Sequence, residues 1–413
     1  MPSALPVYSI VPFAAMLLAI AVCPLWTPHW WEPNRNKLVV ACALGLPVAG
    51  FYAARHPHVL LETVQEYVSF MLLLTALYVI AGGIRLTGDL RATPLVNTTF
   101  LATGSVLASF LGTTGAAMLL IRPVLQTNHE RTRVTHTVVF FIFLVANIGG
   151  LLTPLGDPPL FLGYLEGVPF TWTFRLLPHW LFTVLLLLLI YFVWDSVEYG
   201  REPAPALAWD IAEREPLRLE GTLNFVWLAG VLLAVAFLRA PWREALILAL
   251  TGLSLWQTPR AVHRANEFSP HPMIEVAVLF LGIFVTMIPA LELLRTRGGA
   301  LGVREPWQFF WATGTLSSFL DNAPTYLTFL ALGQGLRLSD EVVGVPHAIL
   351  AAISVGAVFM GANTYIGNAP NFMVKAIAEA TRVRMPSFFA YMLYSGGILL
   401  PVFAAVTWLF FRS

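Results

Sequence analysis

The chain predicts an all-α polytopic membrane protein built as two inverted repeats, and three observations predict it. It is 57% hydrophobic and 11% charged, with a mean hydropathy of +0.73, where soluble domains carry about 25% charge. Its apolar runs are about 17 to 20 residues long, the reach of a membrane-spanning helix rather than of a barrel strand, and backbone in lipid must satisfy itself internally. Motifs of the first half also return in the second at a nearly constant offset.

Apolar segments run from Val7 to Leu25, Lys37 to Ala54, Tyr67 to Ile84, Thr93 to Leu125, His136 to Leu165 and His179 to Val197. From Glu198 to Glu220 the composition shifts to Glu, Arg, Pro and Asp, which reads as a loop between halves. Six further segments follow: Thr222 to Leu238, Arg243 to Trp256, Met273 to Leu294, Glu305 to Leu332, Ala348 to Ala380 and Phe388 to Phe411. The expected organisation is a first transmembrane repeat at 1–197, a cytoplasmic linker at 198–221 and a second, inverted transmembrane repeat at 222–413.

The repetition rests on residues that apolar composition does not explain. Leu107-Ala108-Ser109-Phe110-Leu111 returns as Leu316-Ser317-Ser318-Phe319-Leu320, 209 residues later. Gly150, Thr153, Gly156, Pro159 and Phe161 return as Gly361, Thr364, Gly367, Pro370 and Phe372, at 211, and Glu66 returns as Glu275 at 209. In each half the fourth segment is interrupted by Gly112-Thr113-Thr114-Gly115 or by Asp321-Asn322-Ala323-Pro324, and reads as a re-entrant hairpin. The fifth is a broken helix, carrying Gly and Pro at bilayer depth. Five true crossings per half is an odd number, so the second half is expected to be inverted. The side holding 15 of the 24 Lys and Arg residues is then cytoplasmic, with both termini outside.

Helix ends, freed carbonyls and short polar side chains meeting near the midplane are hard oxygen donors suited to Na+. The candidates are Ser109, Thr113, Thr114, Asn147, Thr153 and Asp157 in the first half, and Ser317, Ser318, Asp321, Asn322, Thr325, Asn363, Thr364, Asn368 and Asn371 in the second. Asp157 and Asp321 are the carboxylates within the breaks. A carboxylate that holds either Na+ or H+, never both, exchanges them when its site faces each side in turn. The plainer alternative is that Asp157 caps a half-helix and Asp321 turns a hairpin.

Other polar residues have simpler expectations. Glu66 and Glu275 are read as sitting at helix starts, where the macrodipole favours them. Lys375 and Arg122 are read as snorkelling to the interface, His129 and His136 as interfacial, and Trp30, Trp31 and Trp172 as aromatic belts. Cys23 and Cys42 read as small core residues with no metal-ligand spacing, and Met1 to Ser9 lacks the positive start of a signal peptide. A net charge of +1 without basic tracts gives no reason for a nucleic-acid partner. The absence of H-E-x-x-H, G-x-S-x-G and a nucleotide-binding loop leads us to expect a transporter rather than an enzyme.

Four motifs carry a resemblance: G-T-T-G-A-A-M-L-L-I-R-P from Gly112, N-I-G-G-L-L-T-P-L-G-D-P-P-L-F from Asn147, S-S-F-L-D-N-A-P-T from Ser317 and G-A-N-T-Y-I-G-N-A-P-N-F from Gly361. In these the chain resembles the ion transporter superfamily, most closely its branch of citrate transporters and NhaD-type sodium/proton antiporters. The resemblance implies inverted repeats, a homodimer joined through scaffold helices and backbone at Gly156 and Gly367 completing two cation sites. Divalent-anion carriers of that superfamily have Ser-Asn-Thr at each hairpin tip. Here the tips read Gly112-Thr113-Thr114 and Asp321-Asn322-Ala323, keeping only Thr114 and Asn322. A fixed Asp321 repels a carboxylate substrate, and Asp-Asn at this tip resembles the antiporter and arsenite-efflux branches. The expectation is a Na+/H+ antiporter of the bacterial inner membrane with the lipid bilayer and small cations as partners and no cofactor; Na+-coupled symport of citrate is the alternative.

Overall fold

The computed structural model of the protein describes residues 5–204, 215–338 and 341–412, and the side chain of Leu25 lies outside that description. Among the described residues, eight helices are long and apolar enough to cross a membrane. The protein is a multi-pass, all-α membrane protein. In chain order the main helices of the first half are α1 (Val11–Trp26), α2 (Asn34–Arg55), α3 (Pro57–Gly82), α4 (Pro94–Leu111), α5 (Thr113–Thr127), α6 (Thr135–Leu144), α7 (Pro158–Leu165) and α8 (Leu177–Tyr199). The second half holds α9 (Leu223–Phe237), α10 (Trp242–Gln257), α11 (His271–Arg297), α12 (Pro306–Ser317), α13 (Asn322–Gly335), α14 (His347–Met360), α15 (Ala369–Ala380) and α16 (Phe388–Phe410).

Local chemistry starts and stops these helices. Pro57, Pro94, Pro158 and Pro306 occupy first positions, where a missing N–H costs nothing. Thr93 caps α4 by accepting from Val96 N at 3.3 Å, and Glu305 with Gln308 forms a capping box on α12. The long fourth segments each divide into two helices. In the first, Gly112 adopts φ +78°, a left-handed conformation that a side chain would strain, and the chain doubles back there. The open ends of α4 and α5 are clipped by reciprocal amide bonds between Asn97 and Asn128, at 2.9 and 2.8 Å.

The two helical hairpins point at each other from opposite ends of α11. Near its start, Tyr78 at the end of α3 donates to the Ser269 carbonyl at 2.9 Å, and the chain beyond α3 leads into the base of the α4–α5 hairpin, where Leu90 N donates to Thr127 Oγ1 at 3.4 Å. At its far end, Arg295 Nε donates to Gln334 Oε1 at 2.8 Å, beside the last residue of α13. α2 runs in the same direction as α11: Lys37 pairs with Glu275 at 2.7 Å and Tyr52 donates to Glu292 at 3.0 Å. Every residue from His136 to Leu151 is buried, so α6 and the break that follows it form the centre of the molecule.

Several sequence expectations need correction: Trp31 and His136, each 5% exposed, are buried rather than interfacial, and Cys23 and Cys42 are half-buried rather than core residues. The linker is not only loop: α8 extends to Tyr199, and Glu215–Glu220 form strand β2, antiparallel to β1 (Arg85–Asp89) with Arg85 opposite Glu220. β2 is exposed throughout, Leu217 and Leu219 included, and those two alternating leucines are lost among the charged residues and prolines of the stretch. The rest of that stretch, 205–214, lies outside the described residues. Glu66 lies well inside α3, which begins at Pro57, because the polar first turns of that helix hide its start from a hydropathy reading. Trp172 is 5% exposed and its indole N–H donates to His347 Nδ1 at 2.9 Å, so it is a core residue rather than a belt.

Candidate ion-binding site

The two broken helices are built alike. α6 gives way to a tight turn at Ile148–Leu152 before α7, and α14 to one at Gly361–Asn363 before α15. Thr153 and Thr364 have nearly the same backbone angles (φ −138°, ψ 159° and φ −137°, ψ 166°), as do Asp157 and Asn368 (φ −147°, ψ 144° and φ −151°, ψ 142°). The Thr153 hydroxyl donates to the Ser109 carbonyl and accepts from Leu155 N, while the Thr364 hydroxyl donates to the Ser318 carbonyl and accepts from Ile366 N. Each break is thus fastened to the tip of the hairpin in its own half. A Cβ on Gly156 would collide with the Gly150 carbonyl, so only glycine permits the turn to close this far.

Both breaks and both hairpin tips converge on one carboxylate. Asp157 is 1% exposed. Its Oδ1 accepts from the Thr113 hydroxyl at 2.9 Å and from Asn368 Nδ2 at 3.1 Å, and its Oδ2 accepts from Asn322 Nδ2 at 2.5 Å. Thr113 stands at the first tip, Asn322 at the second and Asn368 on the second break. The backbone joins in, with Thr113 N donating to the Gly156 carbonyl at 2.8 Å. Asp157 holds the N-cap position of α7, yet its side chain makes no cap hydrogen bond. Every donor is neutral, and no Lys, Arg or His is among its partners in the described residues. A buried ionised carboxylate without a positive partner is costly, which makes this a place for a cation or a proton.

A second layer of amides holds the breaks in position. Asn147 Nδ2 donates to the Ile142 carbonyl at 2.8 Å and to Asn371 Oδ1 at 2.7 Å. Asn371 Nδ2 donates to the Gly361 and Thr364 carbonyls, both at 2.9 Å, and Asn368 Nδ2 also reaches the Ala146 carbonyl at 3.2 Å. Freed carbonyls of each break are thereby satisfied by amides. Asn147 is fully buried, and its Oδ1 has no hydrogen-bond donor among the described residues.

The chain matches, over residues 2–411, a family described as "Putative citrate transport". It belongs to that family. No curated protein matches the chain.

In this family member, then, Thr113, Asp157, Asn322 and Asn368 of the sequence candidates meet directly, and Gly156 joins them through its carbonyl. Thr153 and Thr364 instead tie the breaks to the hairpins. Asp321 is half-buried at the second tip and caps α13, accepting from Ala323 N at 3.0 Å. Thr114 is half-buried one residue beyond Thr113. Asn363 donates to Ser318 Oγ at 2.9 Å, on the side where Ser395 Oγ reaches its carbonyl at 2.7 Å. Gly367 packs on the Gly361 and Ser317 carbonyls as Gly156 packs on Gly150. Lys375 pairs with Glu379 at 2.8 Å, four residues along α15, and lies over the Tyr365 and Phe372 rings.

One buried cluster escaped the sequence reading. Asp195, 0% exposed, accepts from Arg131 Nη2 at 2.7 Å, from His136 Nε2 at 2.8 Å and from Asn97 Nδ2 at 3.2 Å. Glu202 completes the tie at this end by accepting from Thr132 N at 3.0 Å and Arg133 N at 2.9 Å. A fully buried carboxylate one turn before the end of the Leu-rich α8 carries the signal, since Asp195 directly follows the apolar run and needs a partner within the bundle.

Proposed function

We propose that this protein is a secondary transporter that exchanges Na+ for H+ across the bacterial inner membrane. The observation that carries the reading is Asp157, buried where both breaks and both tips meet and surrounded by neutral oxygen- and amide-bearing side chains. The donor set fits a small hard cation: the Asp157 carboxylate, the Thr113 hydroxyl, the Gly156 carbonyl and the amide oxygen that Asn322 carries, with Asn368 holding the carboxylate in place. Asp157 takes either the cation or a proton, and Asp321 at the second tip serves as a further carboxylate on the ion's route. The architecture we infer is a pair of inverted repeats, each with a re-entrant hairpin and a broken helix, with the hairpins entering from opposite sides. Movement of the bundle of hairpins and broken helices then exposes the site to each side in turn.

The test is fluorescence of a pH dye in everted vesicles. Addition of Na+ is expected to release the quench in vesicles containing the protein and not in those containing Asp157→Asn. Absence of any response between pH 7 and 9 would sink the reading. Citrate symport is the second reading, favoured by the description of the family. Half-helix N-termini can bind a carboxylate without Arg or Lys. Na+-dependent uptake of labelled citrate into the same vesicles would establish it in place of exchange.

A further inference from the structure

The four amides around the centre are held differently. Asn147 and Asn371 are each fixed by two donated bonds, and a bond between them occupies the remaining Asn371 oxygen. Asn368 is fixed as well: its NH2 group faces two acceptors at once, Asp157 Oδ1 and the Ala146 carbonyl. Rotating any of these three exposes an amide oxygen to another oxygen. Asn322 is the exception. Among the described residues its side chain makes one hydrogen bond, the 2.5 Å contact with Asp157 Oδ2. It is also the first residue of α13, immediately after the tip, and is 1% exposed.

We propose that Asn322 is a two-position latch: with no cation present its NH2 group binds Asp157 and fastens the second hairpin tip to α7, and with Na+ present the amide turns over so that its oxygen and the Asp157 carboxylate share the ion. This inference rests on the cation-exchange reading above. An asparagine suits the role because it carries a donor and an acceptor on one short side chain, exchanged by a half-turn about its last torsion. The donor end stabilises a buried carboxylate that has no counter-ion, and the acceptor end supplies a neutral ligand when one arrives. No covalent bond changes, and no other amide in the cluster needs to move. The residue 209 positions earlier is Thr113, whose hydroxyl also bonds Asp157 but needs no half-turn to present its oxygen.

Infrared difference spectra of the purified protein in liposomes, recorded with and without Na+ on a film grown with isotope-labelled asparagine, read this directly. The expected result is a shift of a labelled side-chain amide carbonyl band together with the carboxylate bands, with the amide shift missing in Asn322→Asp. In thermal melts, Asn322→Ala loses the ligand and should raise the half-maximal Na+ concentration at least about tenfold, whereas Asn322→Asp keeps an oxygen and adds a charge, and should lower it. A carboxylate change with unmoved asparagine bands overturns the latch and leaves exchange standing. Equal weakening of Na+ binding by Ala and Asp also overturns it. If Na+ perturbs no carboxylate in the wild-type spectrum, the latch and the exchange reading fall together. Unmoved asparagine bands in the wild-type spectrum overturn the latch without any variant, and Asn322→Asp assigns a moved band even where Asn322→Ala fails to fold.

Discussion

Asp157 and Asp195 are both buried to 1% exposure or less, and their surroundings are opposites. Asp195 is held by Arg131, His136 and Asn97, so its charge is matched within the protein. Asp157 is held by Thr113, Asn322 and Asn368, which donate hydrogen bonds but bring no charge. The same chain thus has a cationic partner, Arg131, for one buried carboxylate and only neutral ones for the other. A matched carboxylate is a fastener, here joining the base of the first hairpin to α8. An unmatched one leaves its charge to be compensated by something that comes and goes.

The sharpest way to break this comparison is to neutralise each carboxylate in turn. Asp157→Asn is expected to reduce Na+-driven proton movement to background in the vesicle assay, while its melting temperature in detergent stays near wild type, because no buried cation is orphaned. Asp195→Asn should do the reverse. Removing one partner of a buried ion pair costs about 3–5 kcal/mol, so the melting temperature should fall steeply, while the half-maximal Na+ concentration of the folded fraction is unchanged. Were Asp195→Asn to alter Na+ dependence without altering stability, the division between fastener and carrier would fail.

Smaller effects sharpen the same contrast. Gly156→Ala forces a methyl group against the Gly150 carbonyl and should cost about 1–3 kcal/mol, with loss of exchange, because it displaces the turn that delivers Asp157. Glu202, at the fastened end and outside the membrane spans, offers a pH signature. Burial pushes its carboxyl up, but the Thr132 hydroxyl, the Thr132 and Arg133 N–H groups and nearby Arg131 outweigh this, holding it below the ordinary glutamate range. Its contribution is therefore present above the unfolded value and is lost as the pH falls through the lower folded one. Glu202→Gln should cost about 1–3 kcal/mol at neutral pH, and chemical melts of variant and wild type should converge in acid. Lys375→Gln removes a pair four residues apart on α15, one partner of which is substantially exposed, and should change stability by less than about 0.5 kcal/mol and leave Na+ dependence untouched.

How much of this was legible differs between the two regions. The breaks were visible because Gly and Pro cannot be hidden in an apolar run, and Gly112 marked the first turn because few other residues tolerate its backbone. The carboxylate at the centre was visible for the same reason, as an Asp among prolines. Its role was not. An Asp before Pro-Pro reads equally well as a cap, and only the fold shows its side chain turned from its own helix toward Thr113, Asn322 and Asn368. The fastener was missed because its members are spread from Asn97 to Glu202 and each, taken singly, looks like the polar edge of a span. Strand β2 was missed because it buries neither face.

The sequence by itself determined the membrane class, the segment boundaries to within a turn or two for most helices, the positions of the four interruptions and the pairing of motifs 209 and 211 residues apart. These follow from local chemistry: apolar length, prolines, glycines and caps. The tertiary structure decided which interruptions touch, which carboxylate receives a charged partner and which amides are free to turn. Those are questions of distance between residues as far apart in the chain as Asp157 and Asn368, and hydropathy and propensity carry no information about such distances. Packing fixes them, by bringing two hairpin tips from opposite ends onto one buried Asp.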